Sequence, residues 1–349
     1  MLKVMILAGG KGERFWPLSR RRKPKPFLSI GGEESLLRAT FRRARSVAPP
    51  GAIRVVAGAA LAGAVRREMK GLGSGAVLVE PAARNTGPAA LLAARIAWAE
   101  HPLSEILFLP SDHRVVGLRA FQAAVAAARR LARRGFLVTF GIPPGGPSPD
   151  YGYIVPGSRL APSCRSVVRF VEKPDSGQAR RLIRRHGAVW NSGMFVWSAE
   201  AFLEEAARYE PSFGRWLSLS GRGKEIPPAA RRAFRDLPDI PVDRAVLERS
   251  RRVAVVKSGF EWSDLGTWSS LDGVLPRDRG GNLHWGDLVS SEAHDNLAVH
   301  PGGLTVLSGV KELLVIRAGN AILVCPRRHA TRLREILREV ERAGHGEYL

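Results

Sequence analysis

Short apolar runs alternate with longer amphipathic stretches through the first 140 residues of the chain. The runs have the length of buried strands, and the stretches between them show helical spacing. Such alternation is typical of a mostly parallel sheet with helices on both faces, so the sequence predicts an α/β fold. Strands are predicted at 4–7, 53–56, 77–79, 106–109 and 137–140, with helices near 35–47, 60–70, 88–100 and 118–134.

The pattern changes after residue 141. A loop rich in Pro and Gly leads into strands predicted around 167–172 and 193–197, which we interpret as a substrate-facing insertion in the same domain. Helical patterns resume over 199–248. From about 280, short strand-like segments separated by Gly, Asp and Asn turns precede a charged helix near 328–343. We therefore expect a large α/β domain over 1–278 and a small C-terminal β-rich domain over 279–349.

Composition narrows the class of protein. Hydrophobic residues make up 45 % of the 349 positions, which is enough for a sizeable core. No apolar run approaches the roughly 20 residues that a membrane span needs, and the N-terminal run is too short for a signal peptide. We expect a cytoplasmic protein with no membrane partner. Cys164 and Cys325 are far apart and lack a metal-binding spacing, so a disulfide framework is not expected.

The formal net charge of +22 raises the question of nucleic acid. The basic residues are scattered along the whole chain without a long basic tail, so we expect no nucleic-acid partner. A basic surface of this kind attracts small anionic substrates. Only nine of the 54 basic residues are Lys, so a Lys inside a motif is informative, because Arg does not reproduce its compact charge.

A glycine-rich segment follows the first predicted strand. Gly9, Gly10 and Gly12 let the backbone turn sharply and approach a phosphate with its N–H groups. Arg14 and Lys25 can neutralise phosphate charge. The segment lacks the third glycine of a dinucleotide-binding fingerprint and the ending of a Walker A loop. It reads LAGGKGERFWPLSR from residue 7, and PKPFL follows from residue 24.

Two aspartates are candidate metal ligands. Asp112 follows the predicted strand 106–109 in the sequence PSDH, and Asp264 lies in WSDLGTW. Mg²⁺ favours one or two carboxylates together with phosphate oxygens. The alternatives are a turn or a helix cap, with Trp268 in the core. We interpret His113 as a structural neighbour of Asp112 rather than a catalytic base.

The stretch 7–28 resembles the signature of the sugar-nucleotide pyrophosphorylases. The resemblance covers about residues 1–320 and implies a Rossmann-like nucleotidyltransferase domain with a mixed, mostly parallel sheet, plus a β-solenoid-like C-terminal domain. It implies Mg²⁺ as cofactor and Asp112 and Asp264 as its ligands. It also implies that Arg14 and Lys25 act on the reacting phosphates. The implied nucleotide contacts are Leu7, Ala8, Gly9, Gly10, Gly12, Glu80, Asn85, Thr86 and Asp112.

The variant RFWPLSR, from residue 14, resembles the family members that join GTP to mannose 1-phosphate, in the form without an isomerase domain. Two alternatives stay open. One is the same chemistry with dTTP or UTP and glucose 1-phosphate. The other is an inactive, sugar-nucleotide-sensing protein on the same fold, against which the presence of both metal carboxylates argues. The sequence does not determine the oligomeric state, and we retain a homodimer as the working assembly.

Glu80 begins the sequence EPAARNTGP. Taken alone, this segment is as typical of a helix start as of a nucleotide site. In the first case Asn85 or Thr86 would be the cap and Pro88 would lie in the first turn. Its nucleotide contacts rest on the resemblance.

Three later segments, YGYI, FVEKP and NSGMF, resemble the sugar-binding pieces of the family. Lys173 would hold the sugar phosphate and take part in catalysis. A further segment, VDRAVLE from residue 242, fits less well, because Arg244 stands where an aromatic residue is expected, and the roles of Asp243 and Glu248 stay open. The implied sugar contacts are Gly152, Tyr153, Glu172, Lys173, Asn191, Gly193 and Asp264.

Overall fold

The structure is a computed structural model that describes residues 1–9, 12–70 and 73–349. It has a Rossmann-like mixed α/β fold with a large, mostly parallel sheet and a separate C-terminal β-rich region, which confirms the predicted fold class. Among residues 1–9, 12–70 and 73–349, none of the helices combines the length and the apolar character that a membrane-spanning segment requires.

All five strands and four helices predicted for the first 140 residues are present. The strands are β1 (Leu2–Ala8), β2 (Ile53–Gly58), β3 (Val77–Glu80), β4 (Glu105–Pro110), β5 (Arg114–Val116), β6 (Leu137–Ile142), β7 (Tyr153–Ala161), β8 (Cys164–Val171), β9 (Val189–Ser198), β10 (Val253–Lys257), β11 (Glu261–Ser263), β12 (Leu283–Ser291), β13 (Leu297–Ser308), β14 (Leu313–Ala318) and β15 (Ala321–Pro326). The helices are α1 (Leu36–Arg45), α2 (Ala59–Glu68), α3 (Thr86–Glu100), α4 (Leu118–Ala132), α5 (Ser176–His186), α6 (Ala199–Tyr209), α7 (Pro211–Ser220), α8 (Pro228–Ala233) and α9 (Leu333–Arg342).

Contacts divide the chain into two compact units that interleave along the sequence. The first unit consists of Met1–Gly9, Thr40–Ser111 and Val115–Trp262. The second consists of Gly10–Ala39, Asp112–Arg114 and Ser263–Leu349. The sequence predicted one boundary at residue 278, whereas each of these units consists of three separate segments. The predicted boundary stays a prediction.

The first unit is built on one large sheet, whose order in the described residues is β3-β2-β1-β4-β9-β6-β10-β8-β7. The strand pairings show that β9 and β8 run against the other strands. A buried aromatic cluster, with the rings of Trp197 and Phe202 stacked at 4.4 Å, covers one face. Because β1 to β4 are parallel, their carboxyl ends meet at one edge of the sheet, where a ligand site is expected.

The second unit has its own core. Strands β12, β13 and β14 are parallel, and β15 pairs antiparallel with β14. Apolar side chains of this sheet pack with Phe15, Trp16 and Leu28, which follow the glycine-rich segment, and with Trp268. The segment that carries the phosphate motif is therefore held by the core of the β-rich unit.

Candidate active site

The glycine-rich segment leaves β1 at the carboxyl edge of the large sheet. Leu7 and Ala8 are the last residues of β1, and Ala8 is fully buried. Among the residues that the structure describes, none places an atom within 4 Å of the position that a Cβ on Gly9 would occupy. Gly10, a predicted phosphate contact, lies outside the described residues.

Gly12 lies in close contact with Lys25. Its φ of +64° lies in the left-handed region, and a Cβ there would lie 2.5 Å from the Cβ of Lys25. Only glycine fits this combination of conformation and contact. Gly12 thus brings the two halves of the phosphate motif together.

A cavity of about 460 Å³ lies within the second unit and gathers the predicted phosphate and metal residues. Arg14 makes no ion pair with the residues that the structure describes, so its charge is available to a ligand. Lys25 is buried, and its Nζ donates to Asp112 Oδ2 at 2.8 Å and to the backbone oxygen of Asp264 at 2.7 Å. The cavity is lined by Gly12, Glu13, Arg14, Phe15, Lys25, Asp112, His113, Asp264, Gly266 and Arg334.

Asp112 is held in its ionised form. Burial by itself would raise the pKa of this carboxyl, but the charges of Lys25 and His113 and the Lys25 hydrogen bond outweigh it and lower the pKa below its ordinary value. His113 Nε2 lies 4.0 Å from Asp112 Oδ1. An ionised carboxylate that lines a cavity can accept a metal ion.

Asp264 is fixed by a tight turn. Its Oδ1 accepts a hydrogen bond from the Gly266 N–H at 2.9 Å, and a Cβ on Gly266 would lie 2.5 Å from its Oδ2. Trp268 is buried in the core of the second unit, as the helix-cap alternative also required. In residues 1–9, 12–70 and 73–349, no group of three or more His, Cys, Asp or Glu side chains could hold a metal ion. Two carboxylates fit a Mg²⁺ ion whose remaining ligands are substrate oxygens and water.

Glu80 lies at the carboxyl end of β3 and lines a cavity of about 640 Å³ within the first unit. This volume is in the range of small-molecule sites, which is about 300–1,000 Å³. The Glu80 residue is only 7 % exposed, and burial raises the pKa of its carboxyl to about 7.

Asn85 and Thr86 form the start of α3. The Asn85 side chain accepts from the Thr86 N–H at 3.0 Å and donates to Asp239 at 3.1 Å. The Thr86 hydroxyl accepts from the Val242 N–H at 3.0 Å. Asn85 thus performs the capping role that was the alternative to nucleotide binding, whereas Thr86 is the first residue of α3 and binds the segment at Val242. The nucleotide contacts of both residues stay predictions.

The predicted sugar residues converge around Asn191 in the first unit. Its Nδ2 donates to Asp243 at 2.9 Å, and its Oδ1 accepts from the Thr139 hydroxyl at 2.8 Å. Its backbone N–H donates to the Gly152 carbonyl at 2.8 Å, and its Oδ1 also accepts from the Gly193 N–H at 3.3 Å. This network fixes both ends of the amide.

Glu172 and Lys173 lie in the same group of residues. A Cβ on Gly152 would lie 2.5 Å from Glu172 Oε2, so glycine allows the carboxylate to approach the backbone. Lys173 Nζ lies 3.3 Å from Glu172 Oε1, and its side chain is 56 % exposed. The Glu172 N–H donates to Glu248 Oε1 at 3.2 Å, which gives Glu248 a positioning role.

Asp243 is a protonatable member of this group. Burial first, and then the negative charge of Glu172, raises the pKa of Asp243 to about 7, against the opposing effects of the Asn191 hydrogen bond and the Lys173 charge. The sequence left Asp243 and Glu248 open because their segment fits the family pattern loosely. Their contacts with Asn191 and Glu172 place both beside the predicted sugar residues.

Tyr153 differs from its neighbours. Its side chain is fully buried, and its hydroxyl donates to the Ser148 carbonyl at 2.9 Å and accepts from the Ser148 N–H at 2.8 Å. It thus supports the loop before β7. The predicted contact of Tyr153 with the sugar stays a prediction. Burial of the side chain does not support it. Tyr151 instead packs against Trp190 and Trp262, with centroids at 4.7 and 5.4 Å.

Sequence reasoning did not find Thr139 or Arg334. Thr139 is a fully buried polar residue in β6. A single polar residue within an apolar run was the signal in the sequence that could have identified it. Arg334 is one of many Arg residues in a charged helix, so no sequence signal marked it.

The family model for the nucleotidyl transferases matches residues 3–278, and the chain belongs to this family. Enzymes of the family generally use a divalent metal ion. The chain is therefore a nucleotidyltransferase by family, with a site whose carboxylates suit such an ion.

Three similar proteins that together match nearly the whole chain carry names from polysaccharide biosynthesis or mannose-1-phosphate transfer. The chain is 36 % identical over 349 residues to the xanthan biosynthesis protein XanB of Xanthomonas campestris pv. campestris (98 % of this chain, 74 % of XanB). It is 33 % identical over 362 residues to the mannose-1-phosphate guanylyltransferase ManC of Salmonella typhimurium (99 % of this chain, 75 % of ManC). A crystal structure described as a mannose-1-phosphate geranyltransferase from Thermus thermophilus superposes with a TM-score of 0.89 at 32 % identity, covering 97 % of this chain and 99 % of that one.

Proposed function

We propose that this protein transfers the guanylyl group of GTP to mannose 1-phosphate, forming GDP-mannose and pyrophosphate. The observation that carries the proposal is the cavity in which Arg14, Lys25, Asp112 and Asp264 meet. Two cationic side chains can neutralise a triphosphate, and two carboxylates can hold its metal ion. The relatives named as mannose-1-phosphate guanylyltransferases supply the choice of substrates.

The reaction needs no covalent enzyme intermediate. A phosphate oxygen of mannose 1-phosphate attacks the α-phosphorus of GTP, the bond from that phosphorus to the β-phosphate oxygen breaks, and pyrophosphate leaves with the electron pair. Both substrates are anions, so positioning and charge neutralisation dominate catalysis. Arg14 and Lys25 would stabilise the charge on the transferring and leaving phosphates, and Lys173 would hold the sugar phosphate.

Mg²⁺ is the metal that we propose. Bound by Asp112 and Asp264, it would neutralise the phosphates and align their oxygens. Lys25 contributes before any substrate arrives, because its ammonium group keeps Asp112 ionised and holds the backbone of Asp264.

Glu80 favours guanine over the other bases. In its ionised form, which a pKa of about 7 leaves accessible at neutral pH, the Glu80 carboxylate can accept hydrogen bonds from the N1–H and N2–H₂ groups of guanine together. Adenine and the pyrimidines do not present that pair of donors. Glu80 lines the cavity of the first unit at the end of β3. This supports GTP over dTTP or UTP. The sensing alternative is disfavoured, because a sensor has no need for two metal carboxylates.

A grid of pyrophosphate-release assays tests the proposal. Purified protein and Mg²⁺ would be combined with each of four nucleoside triphosphates and with mannose, glucose or fucose 1-phosphate. Turnover confined to GTP with mannose 1-phosphate is expected. Turnover with another pair would overturn the substrates and keep the chemistry, and nucleotide binding without turnover would favour a sensor. A cytoplasmic location and a homodimer remain predictions.

A further inference from the structure

The C-terminal helix contributes a cation to the phosphate cavity. Arg334, the second residue of α9, lines the same cavity as Arg14, Lys25 and Asp112. Its Nε lies 4.0 Å from a carboxylate oxygen of Glu13, the residue after Gly12. This contact places the C-terminal helix at the phosphate cavity.

Packing holds α9 beside the phosphate segment. Leu333 and Leu337 are buried in the same apolar cluster as Phe15 and Trp16. The Trp16 indole N–H donates to the Tyr348 backbone oxygen at 2.8 Å, which ties the residues after α9 to the same segment. Arg334 is thus kept at the cavity by side chains that also fix the neighbours of Arg14.

The cations of the cavity differ in their exposure to solvent. The Lys25 side chain is 7 % exposed and paired with Asp112, whereas the Arg334 side chain is 63 % exposed. Lys25 therefore lies on the inner side of the cavity and Arg334 on its outer side. In the proposed transfer the two terminal phosphates depart to solvent. A guanidinium group binds phosphate oxygens in a bidentate manner that an ammonium group does not reproduce.

We infer that Arg334 binds the β- and γ-phosphates of the incoming nucleotide and the pyrophosphate that leaves. The inference rests on the proposed function and adds a residue from the β-rich unit to its site. Arg334 then acts on the leaving group and has no part in binding the sugar.

The test compares Arg334→Met, which keeps a long apolar stem, with Arg334→Lys and with the control Arg338→Met. Arg338 is exposed one turn further along α9 and does not line the cavity. Calorimetric titration with pyrophosphate and Mg²⁺ gives Kd, and steady-state kinetics give KM for each substrate. For Arg334→Met we expect Kd for pyrophosphate and KM for GTP to rise about tenfold. This is the loss of affinity expected when one charge-assisted hydrogen bond is removed at a solvent-facing site.

Three further results are expected: an unchanged KM for mannose 1-phosphate, partial recovery in Arg334→Lys, and wild-type behaviour in Arg338→Met. Unchanged pyrophosphate affinity in Arg334→Met would overturn the inference, as would an equal loss in Arg338→Met or an equal rise in KM for both substrates. The proposed function fails separately, if the wild-type protein does not convert GTP and mannose 1-phosphate. The pyrophosphate titration still decides the role of Arg334 in that case.

Discussion

Lys25 Nζ lies 2.8 Å from Asp112 Oδ2, so the buried cation of the phosphate motif neutralises one of the two expected metal ligands. The same Nζ donates to the backbone oxygen of Asp264 at 2.7 Å. One side chain therefore links the two carboxylate-bearing segments, which lie far apart in the sequence. The pair keeps Asp112 ionised, and a metal ion can bind only to that form.

Lys25→Met should lower kcat by about a hundredfold to a thousandfold, the usual cost of removing one charge-stabilising group from an active site. The physical reason is the loss of a cation that holds Asp112 and Asp264 and faces the phosphates. Lys25→Arg should also lower kcat, because a planar guanidinium group does not reproduce the compact ammonium charge that contacts both Asp112 and the backbone of Asp264. Steady-state kinetics measure both. Lys23→Met, at an exposed position two residues earlier, is the control. Near-normal kcat in Lys25→Met would contradict the role.

Gly12→Ala should inactivate the protein by displacing Lys25. The new Cβ would lie 2.5 Å from the Lys25 Cβ, at a backbone φ of +64° that alanine rarely adopts. We expect turnover to fall at least a hundredfold, a loss comparable to that of a misplaced catalytic group. The control is Gly32→Ala, where no atom of residues 1–9, 12–70 and 73–349 lies within 4 Å of the added Cβ. Equal activity in the two variants would show that the close approach is unimportant.

Asp112→Asn and Asp264→Asn should each raise the Mg²⁺ concentration needed for half-maximal rate and lower kcat about a thousandfold, since each removes a ligand charge. The double variant should lose less than the product of the two single losses, because both ligands serve one ion. Titration of turnover with Mg²⁺ measures all three. Asp287→Asn, at an exposed position in β12, is the control. The metal assignment is wrong if both single variants keep normal Mg²⁺-dependent turnover.

Glu80→Gln should change how stability depends on pH. In the folded protein the pKa of Glu80 is raised to about 7 from an ordinary value of 4.5. Between these values the folded state holds a proton that the unfolded chain has lost, so this group lowers the free energy of unfolding as pH rises. The stability of Glu80→Gln relative to wild type should therefore increase from pH 4.5 to 7, by up to about 3 kcal/mol.

Urea unfolding at several pH values measures this difference. Glu225→Gln is the control, because Glu225 is exposed and lines the same cavity. A constant difference between Glu80→Gln and wild type across the range would show that Glu80 is not held protonated.

Asn191→Ala should weaken sugar binding. The change removes the hydrogen bonds to Thr139 and Asp243 that fix the amide, and it removes the predicted contact with the sugar. We expect KM for mannose 1-phosphate to rise about tenfold to a hundredfold, as for the loss of one or two polar contacts, while KM for GTP stays close to wild type. Asn320→Ala, an exposed position in the second unit, is the control. A larger effect on GTP would place Asn191 on the nucleotide side.

The sequence predicted the fold where local signals were strong. The apolar runs of β1 to β4 and of β6 alternate with clear helical patterns, and this alternation identified them as strands of a mostly parallel sheet. Strand β10 was not predicted, because five residues without a following helix give a weak signal, and pairing with β6 and β8 determines its place in the sheet. The helical region 199–248 is three α-helices, α6 to α8, followed by a single π-helical turn, Asp243–Leu247.

Motif residues were predictable because each motif carries its chemistry within a few positions, as with Gly12 and Arg14. Supporting residues were not predictable in this way. Thr139 meets Asn191 across 52 positions, and Arg334 reaches the cavity only because α9 packs on Phe15. Such contacts depend on tertiary packing, which the linear pattern does not contain.

Isotope labelling of the phosphate oxygens tests the proposed transfer of the guanylyl group. The protein would be incubated with Mg²⁺, GTP and mannose 1-phosphate labelled with ¹⁸O in its phosphate group, and the products analysed by mass spectrometry. Attack of the sugar phosphate on the α-phosphorus predicts GDP-mannose that retains all of the label, together with unlabelled pyrophosphate. Absence of GDP-mannose, or label in the pyrophosphate, would contradict the account.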